Sequence, residues 1–550
     1  MADDAASASE FEADGTGSLD IEEGGKAGFL GPVSGAALLK FLQRVCATDG
    51  RVFVAPPKPR SAPSPSSALS SAISGHMSAA YVDAYFALFH KNYPIVHEGT
   101  FRAQLADVIP RPHGPSWSLL QEVIKGLGST CMPERQDQGD SLAILARANK
   151  LVNVHVLETS NLTGTQAFIL LANLAQKLNR PNLGHVYLGV ALRMAMALGL
   201  HREPAASLSV FEQESRRRVY WTLHCFELGS ILTFGHDCTL PNIANDQARV
   251  RPITNVPDDK LTPNVTSMPP PVDRPTIYSS LQQHSDFHTL ANDIVQQTLS
   301  NLTPSDMLRI ESEVIAWRNR LPAYFFAPNV PPWFEFARER IQWRCEHLRM
   351  VVLRPAFLYA AHEGSQTGQT FSPELETCWN HCVASAMATM HSMKAFVETV
   401  PQRTTAECFY VHLFTFPAAF VLLIALRTRP QHADSFEWLL SVQAAVSILE
   451  HVKHNPLAER CSQIIRAVVA IAQKQPSADQ QQDTDQSSLP PPTDMAPQYL
   501  PTPDLTAFPS NLLTFFGDNN LDPNLAAVPS ATTTFDALLA QWLTRDPALT

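Results

Sequence analysis

The side chains with the clearest capacity for chemistry are cysteines and histidines spaced one helical turn apart. Cys378, His381 and Cys382 stand at positions i, i+3 and i+4, and Cys408 and His412 form a second pair at i and i+4. On adjacent helices, four of these thiolate and imidazole groups could close a tetrahedral zinc site. The competing interpretation is that cysteines among apolar neighbours are small core residues and that His381 faces solvent. We favour this second interpretation and expect no metal site.

Motifs for other chemistry are missing from the sequence. A zinc binuclear cluster needs a compact run of thiolates beginning Cys-x-x-Cys, whereas the first two cysteines here are the isolated Cys46 and Cys131. There is no phosphate-binding GxxxxGK(S/T), no GxGxxG after a strand, no GxSxG and no HExxH motif. We therefore expect no catalytic residues, no cofactor and no DNA-reading module in this sequence.

A basic run beside aromatic residues lies in the middle of the chain. Arg216–Arg218 precede Tyr220 and Trp221, a combination that can bind nucleic acid through phosphate contacts and base stacking. We favour instead a helix start in which the arginines pair with Glu212, Glu214 and neighbouring helices. In this interpretation the aromatic rings are buried and the run is structural.

Helical periodicity surrounds this run and recurs through most of the chain. Apolar residues before it follow a helical spacing, and Gly199 is expected to stop that helix. We expect His201 to act as a structural cap, with a ligand contact as the alternative. Period-two segments are almost absent, so we predict an all-α fold of stacked antiparallel helix pairs in one large domain. Further helices are predicted at 81–93, 117–127, 142–157, 163–178, 278–299, 304–320 and 333–361.

Residues 184–241 resemble the fungal-specific transcription factor regulatory domain, the middle homology region found behind zinc binuclear-cluster DNA-binding modules. The resemblance lies in LGVALRMAMALGLHREP and ESRRRVYWTLHCFELGSILTFGHDCTLP. Two details depart from the family pattern: Tyr220 stands where a Trp is common, and Gly235-His236-Asp237 replaces Gly-Arg-Pro. A later stretch, HLRMVVLRPAFL, resembles the family's Leu-x-Arg-Pro motif. The residues to which the resemblance gives structural roles are Gly199, His201, Arg217, Arg218, Trp221, Gly235, Arg354 and Pro355.

The resemblance covers roughly residues 77–475, and shifts in composition divide the remainder. The segment at 28–54, with its Gly-Pro-Val-Ser-Gly turn, is similar to one that follows the zinc cluster in the family. The predicted segments are an acidic disordered tail at 1–27, the Gly-Pro-x-Ser-like segment and short helix at 28–54, a Pro/Ser linker at 55–76, the regulatory domain at 77–475, a disordered linker at 476–498 and an acidic-aromatic segment at 499–550.

Charge and cysteine content restrict the partners and the compartment. A formal net charge of −11 offers no general electrostatic surface for nucleic acid. Nine cysteines, an odd number spread along the chain, indicate a reducing compartment rather than a disulfide framework. Residues 408–426 form a 19-residue stretch without a formal charge, close to the ~20 residues that span a bilayer. Because this stretch contains His412 and Pro417, we favour a buried core helix and expect no membrane contact.

The last predicted segment, 499–550, combines five Asp and one Arg with spaced large apolar residues. Acidic charge keeps such clusters exposed in a disordered chain, ready to fold as short helices in a partner's groove. We favour an activation segment that binds coactivator machinery over a tail that docks on its own domain. The residues expected to carry activation are Phe515, Phe516, Phe535, Leu538, Leu539 and Trp542.

These observations predict a nuclear fungal transcriptional regulator of one pathway, such as a secondary-metabolite or nutrient-use gene cluster. The protein would contact DNA only indirectly or through a missing module. It could form homodimers, or heterodimers with a zinc-cluster transcription factor. The acidic start of the chain favours the interpretation that the protein has lost the zinc cluster, because acidic residues repel phosphate. The alternative is that an upstream exon encodes the cluster. The alternative function is a co-regulator that heterodimerises with a complete zinc-cluster factor and has no direct output. A protein anchored in a membrane through residues 408–426 is a third class.

Overall fold

A computed structural model describes residues 34, 38, 75–132, 139–234, 250–298, 302–367, 371–400, 403–452, 458 and 461–466. The described residues are helical and contain no strand, which confirms the predicted all-α class. Most of the segments predicted at 1–76 and 476–550, including the expected activation residues Phe515, Phe516, Phe535, Leu538, Leu539 and Trp542, lie outside the described residues, as does Gly235.

Short connections join most of the described helices, but a long segment, residues 235–278, separates α8 from α9. Those of the first half are α1 (Gly75–Ala84), α2 (Glu98–Leu105), α3 (Ser116–Thr130), α4 (Gly139–Leu151), α5 (Val154–Glu158), α6 (Leu162–Lys177), α7 (Pro181–Ala197) and α8 (Val210–Phe234). Those of the second half are α9 (Ser279–Thr298), α10 (Pro304–Asn319), α11 (Pro332–Thr367), α12 (Pro373–Thr399), α13 (Thr405–Thr428) and α14 (Ser435–His451). A π-helical turn, Tyr85–Phe89, continues α1.

Local sequence explains where several helices begin and end. The Asn161 side chain accepts a hydrogen bond from the Gly164 backbone N–H at 2.7 Å, which caps α6. Only Leu178–Arg180 separates α6 from α7, and Pro181 starts α7 at a position where its missing N–H costs nothing. A connection this short requires the two helices to pack as an antiparallel pair, as predicted.

The predicted helix 142–157 is wrong in one respect, because the structure divides it in two. Residues Val152 and Asn153 separate α4 from α5, and the Asn153 side chain accepts a hydrogen bond from the Val156 backbone N–H at 3.2 Å. Asn competes for backbone N–H groups outside helices, so a new helix starts after it. The apolar spacing alone does not reveal this break.

The described helices pack around two large hydrophobic cores. The first is built from α1–α7 and the beginning of α8, and the second from the end of α8 and the helices of the second half. α8 belongs to both, since Trp221 and Leu223 pack in the first core while Leu228 and Ile231 pack in the second. This helix therefore joins the two cores.

The apolar stretch at 408–426 lies in α13. This helix is long and apolar enough by length and composition to cross a membrane, but all of its most apolar window is buried by other helices. Every residue of 408–426 is buried, Pro417 included. In the structure, residues 408–426 thus lie in a buried core helix of the second half, which is the interpretation favoured from the sequence.

Candidate functional site

The turn between α7 and α8 holds the first stretch that the resemblance marks. Gly199 has a φ of +67°, in the left-handed region that favours glycine. Its N–H donates to the Met196 carbonyl at 3.0 Å, and the Leu200 N–H donates to the Ala195 carbonyl at 2.9 Å. These paired bonds end α7 in a Schellman motif, so the capping comes from the backbone of residues 199 and 200. The His201 side chain accepts a hydrogen bond from Arg202 at 3.3 Å instead.

The basic run at the start of α8 is largely inside the molecule. The side chains of Arg217 and Arg218 are 5% and 3% exposed, and Arg217 donates to the fully buried Glu214 at 3.1 Å. A second carboxylate, that of Glu203, pairs with Arg217 from the turn. The sequence analysis expected Glu212 to pair with the arginines. In the structure, Glu212 instead accepts hydrogen bonds from the backbone and side chain of Ser209. The side chains of Arg217 and Arg218 therefore lie inside the molecule beside Glu214.

Glu203 connects the turn to the loop that follows α8. It accepts hydrogen bonds from the backbone N–H of Arg251 at 2.9 Å and from the Arg251 side chain at 2.7 Å. Partial burial works against ionisation, but the bonds from Arg217 and Arg251 lower the pKa of Glu203 to about 2. The Trp221 indole N–H also donates to the Arg251 carbonyl at 2.8 Å. The turn, α8 and the loop are thus fixed to one another.

The Leu-x-Arg-Pro-like stretch lies within α11. Arg354 is 4% exposed, and its Nη1 donates to the Ser34 carbonyl at 3.1 Å. Burial lowers the pKa of Arg354 to about 10. Pro355 lies inside the helix, and Leu38 is part of the second core. Ser34, which the sequence analysis placed in the Gly-Pro-Val-Ser-Gly stretch, therefore contacts this arginine in the fold.

The cysteines and histidines considered as zinc ligands do not assemble. In the described part of the chain, no group of three or more His, Cys, Asp or Glu side chains is arranged to hold a metal ion. Burial raises the pKa values of Cys378 and Cys382 to about 12. His381 does not simply face solvent, because its Nδ1 lies 2.7 Å from a Glu311 carboxylate oxygen. His412 is fully buried, and burial lowers its pKa to about 3.

Sequence reasoning missed a second polar cluster, which lies between the two cores. Lys177 comes from α6, Arg340 and Arg344 come from α11, and each of the three residues is at least nine-tenths buried. The one available signal was that the arginines lie at i and i+4 on the α11 face that also carries Ala337, Ile341 and Leu348. That signal is weak, since long basic side chains at such positions commonly extend to solvent.

Fold and site together define a class of protein: a large all-helical domain whose marked motifs form its turns and buried ion pairs. The comparison with known families gives that class a name. Residues 82–341 match the fungal specific transcription factor domain, so the chain carries a domain of that family. The matched family consists of transcriptional regulators rather than enzymes. No solved structure matches the chain.

Curated relatives agree with this assignment. The lactose regulatory protein of Kluyveromyces lactis is 27% identical over 67% of this chain and 41% of its own length. The transcription factor opdR of Penicillium oxalicum is 30% identical over 34% of this chain and 25% of its own length. The acetamidase regulatory protein of Emericella nidulans is 29% identical over 32% of this chain and 21% of its own length. The chain thus aligns with less than half the length of each of these relatives.

Proposed function

We propose that the protein is a nuclear transcriptional regulator of one fungal pathway, in which the helical domain controls a C-terminal activation segment. The observation that carries this proposal is the match of residues 82–341 to the fungal specific transcription factor domain. The names of two relatives, a lactose regulatory protein and an acetamidase regulatory protein, support a nutrient-use pathway. Nuclear location follows from the same role and is tested by imaging a fluorescent fusion.

Segment 499–550 is proposed to supply the activating surface. Fused to a heterologous DNA-binding domain, it is expected to activate a reporter gene. Replacing Phe515 and Phe516 by Ala should weaken activation strongly, because burial of large apolar groups carries most of the energy of such contacts. A matched variant, Asp518→Asn with Asp522→Asn, should lose less. An inert fusion, or a greater loss from the Asp substitutions, would contradict this assignment.

A second candidate function is a co-regulator that acts through a complete zinc-cluster factor. Its support is the acidic charge of the chain, −11, and the absence of a compact cysteine run from the 550 residues. In this case segment 499–550 would be inert in the fusion assay while the chain still co-purified with a zinc-cluster protein. An active fusion favours the first function.

A further inference from the structure

Cationic and phenolic side chains meet where the two cores join. Lys177 approaches from α6, Arg340 and Arg344 from α11, Tyr93 from the segment after α1, and Tyr410 from α13. All five side chains are buried: the exposed fraction is 5% for Lys177, 0% for Arg340, 9% for Arg344, 3% for Tyr93 and 5% for Tyr410. We call this set the junction cluster. Its members come from both halves of the molecule, so whatever it binds contacts both cores.

The contacts of the junction cluster are aromatic and neutral rather than ionic. The Lys177 Nζ atom lies 4.5 Å from the centre of the Tyr410 ring and has no hydrogen-bond partner. The Arg340 guanidinium lies 4.7 Å from the centre of the Tyr93 ring, and only one of its nitrogens, Nη2, donates to a side chain, that of Ser280 at 3.0 Å. Among the described residues, no hydrogen-bond partner lies at Arg340 Nε, Arg340 Nη1 or Arg344 Nε.

Carboxylates are missing from this environment. Among the described residues, none has a carboxylate within 4.0 Å of Lys177, Arg340 or Arg344. Glu407 and Glu335, at the start of α13 and on α11, interact with a different arginine, Arg403, at 3.2 and 3.8 Å. The three cations therefore have no ionic partner in this part of the chain.

The pKa values of the two tyrosines shift in opposite directions, although Arg340 and Arg344 act to lower both. Burial raises the pKa of Tyr93. Burial acts in the same direction on Tyr410, but Lys177, Arg340 and Arg344 together lower its pKa to about 7. The two hydroxyl oxygens lie 3.4 Å apart. A phenolate at Tyr410 would supply a single negative charge against three positive ones, and the cluster would remain electropositive.

Two neutral imidazole rings lie beside the cations. His284 and His288 of α9 are fully buried, and burial keeps the pKa of each well below its usual range, with Arg340 and Arg344 acting in the same direction. The Nδ1–H of His284 donates to the Ser280 carbonyl at 2.9 Å, so the Nε2 of this neutral ring is an acceptor. Neither ring nitrogen of His288 has a hydrogen-bond partner among the described residues, and one of the two carries a proton that can be donated. Gly229 of α8 presents no side chain here, since a methyl group on it would lie 3.8 Å from His288 Cε1 and 3.9 Å from Arg344 Nη2.

A protein interior holds unpaired cations only at high cost, because the lost hydration must be replaced by an opposite charge or by hydrogen bonds. We propose that the junction cluster binds a small oxyanion, a compound with a carboxylate or phosphate group, between Lys177, Arg340 and Arg344. The guanidinium groups match the planar carboxylate or the phosphate oxygens, and Lys177 adds a point charge. Binding would draw the two cores together. The use of this anion as a regulatory effector, though not its binding, rests on the proposed transcriptional function.

Titration calorimetry on the full chain tests the binding, with sodium phosphate and sodium succinate as probes and sodium chloride as reference at equal ionic strength. We expect saturable binding of at least one oxyanion and none of chloride. Binding of phosphate alone identifies a phosphate compound as the ligand class, and binding of succinate alone identifies a carboxylate. No saturable binding of either probe would overturn the proposal.

Lys177→Met supplies the matched variant. It removes a cation that has no ionic partner and keeps an apolar side chain of similar length, so the fold should be retained. The affinity for the oxyanion should fall roughly tenfold or more, because a charge-assisted hydrogen bond is lost. Arg309→Met, on an exposed pair of α10, controls for net charge and should bind like the parent protein. Unchanged affinity in Lys177→Met would place the anion elsewhere and reject the site.

Tyrosinate absorbance gives a second readout that does not depend on reporter activity. Without oxyanion, the phenolate of Tyr410 should appear near neutral pH, and Tyr410→Phe should remove this transition. Bound phosphate or succinate should shift the transition to higher pH, because it neutralises the cations that favour the phenolate. An identical transition with and without a bound oxyanion would contradict binding at the junction cluster. A reporter assay with Lys177→Met then tests the effector role separately.

Discussion

At the scale of single residues, the carboxylate of Glu203 illustrates how a motif position acts through charge. Its folded pKa is about 2 against an ordinary value of 4.5, so its stabilising effect is complete above pH 4.5 and is lost as the pH falls towards 2. We expect Glu203→Gln to flatten the dependence of the unfolding free energy on pH in this window. Urea unfolding at several pH values measures it, with the exposed Glu313→Gln as control. Parallel curves for Glu203→Gln and the parent protein would contradict the assignment.

Gly199 is the residue whose backbone conformation matters most at the turn. No atom lies within 4 Å of a Cβ placed on it, so Gly199→Ala would suffer only from its φ of +67°. We expect a loss of about 1–2 kcal/mol in the unfolding free energy. Gly189→Ala is the matched control, since Gly189 is equally open but lies inside α7, and should gain about 1 kcal/mol. Denaturant titration compares the two, and effects of the same sign would argue against this explanation.

Whether the role of a residue could be predicted depended on how far apart in the sequence its contact partners lie. Gly199 was predicted as a helix stop because the stop is a local property of α7. The burial of Trp221 followed from helical periodicity. The partner of Arg217 from outside its own helix, Glu203, was not predicted, because it is 14 positions away in the sequence and is brought near only by the turn. The junction cluster was missed for the same reason, since its members come from four separate segments.

At the scale of elements, α11 connects two motifs through Arg354 and Ser34. Arg354→Met keeps most of the side-chain volume but removes the donor to the Ser34 carbonyl. We expect faster tryptic cleavage after Lys40 and Arg44, because the segment that contains Ser34 would be held less firmly. Limited proteolysis followed by mass spectrometry measures the cleavage rate, with Arg309→Met as control. An unchanged rate would show that the contact does not anchor the segment.

Helices with a strong sequence signal were the easiest elements to predict. α13 was expected as a core helix, and the structure buries its residues 406–426. The break between α4 and α5 was not expected, because it depends on the capping bond of Asn153 rather than on apolar spacing. The predicted domain limits at 77 and 475 stay a prediction. The family match ends at residue 341, while the described helices continue beyond α14 to residue 466.

At the scale of the whole molecule, α8 and the junction cluster connect the two cores, and Leu281 of α9 and Ala406 of α13 also pack in the first core. The sequence predicted one large helical domain but not its division into two cores, because nothing in a periodic pattern tells which helices share a core. A ligand at the junction cluster is placed to change how the two cores pack.

The net charge of the molecule leads to the last prediction, which concerns DNA. These 550 residues carry a net charge of −11, and the side chains of Arg217 and Arg218 are 5% and 3% exposed. We therefore expect the 550-residue chain alone to show no salt-dependent affinity for duplex DNA, because such affinity needs exposed cations that release counterions from phosphate. Fluorescence anisotropy with labelled DNA at several salt concentrations measures this. The same chain fused to a heterologous DNA-binding domain should bind that domain's site with a clear salt dependence, which shows that the preparation is competent. A steep salt dependence for the chain alone would mean that it carries a DNA-contacting surface of its own.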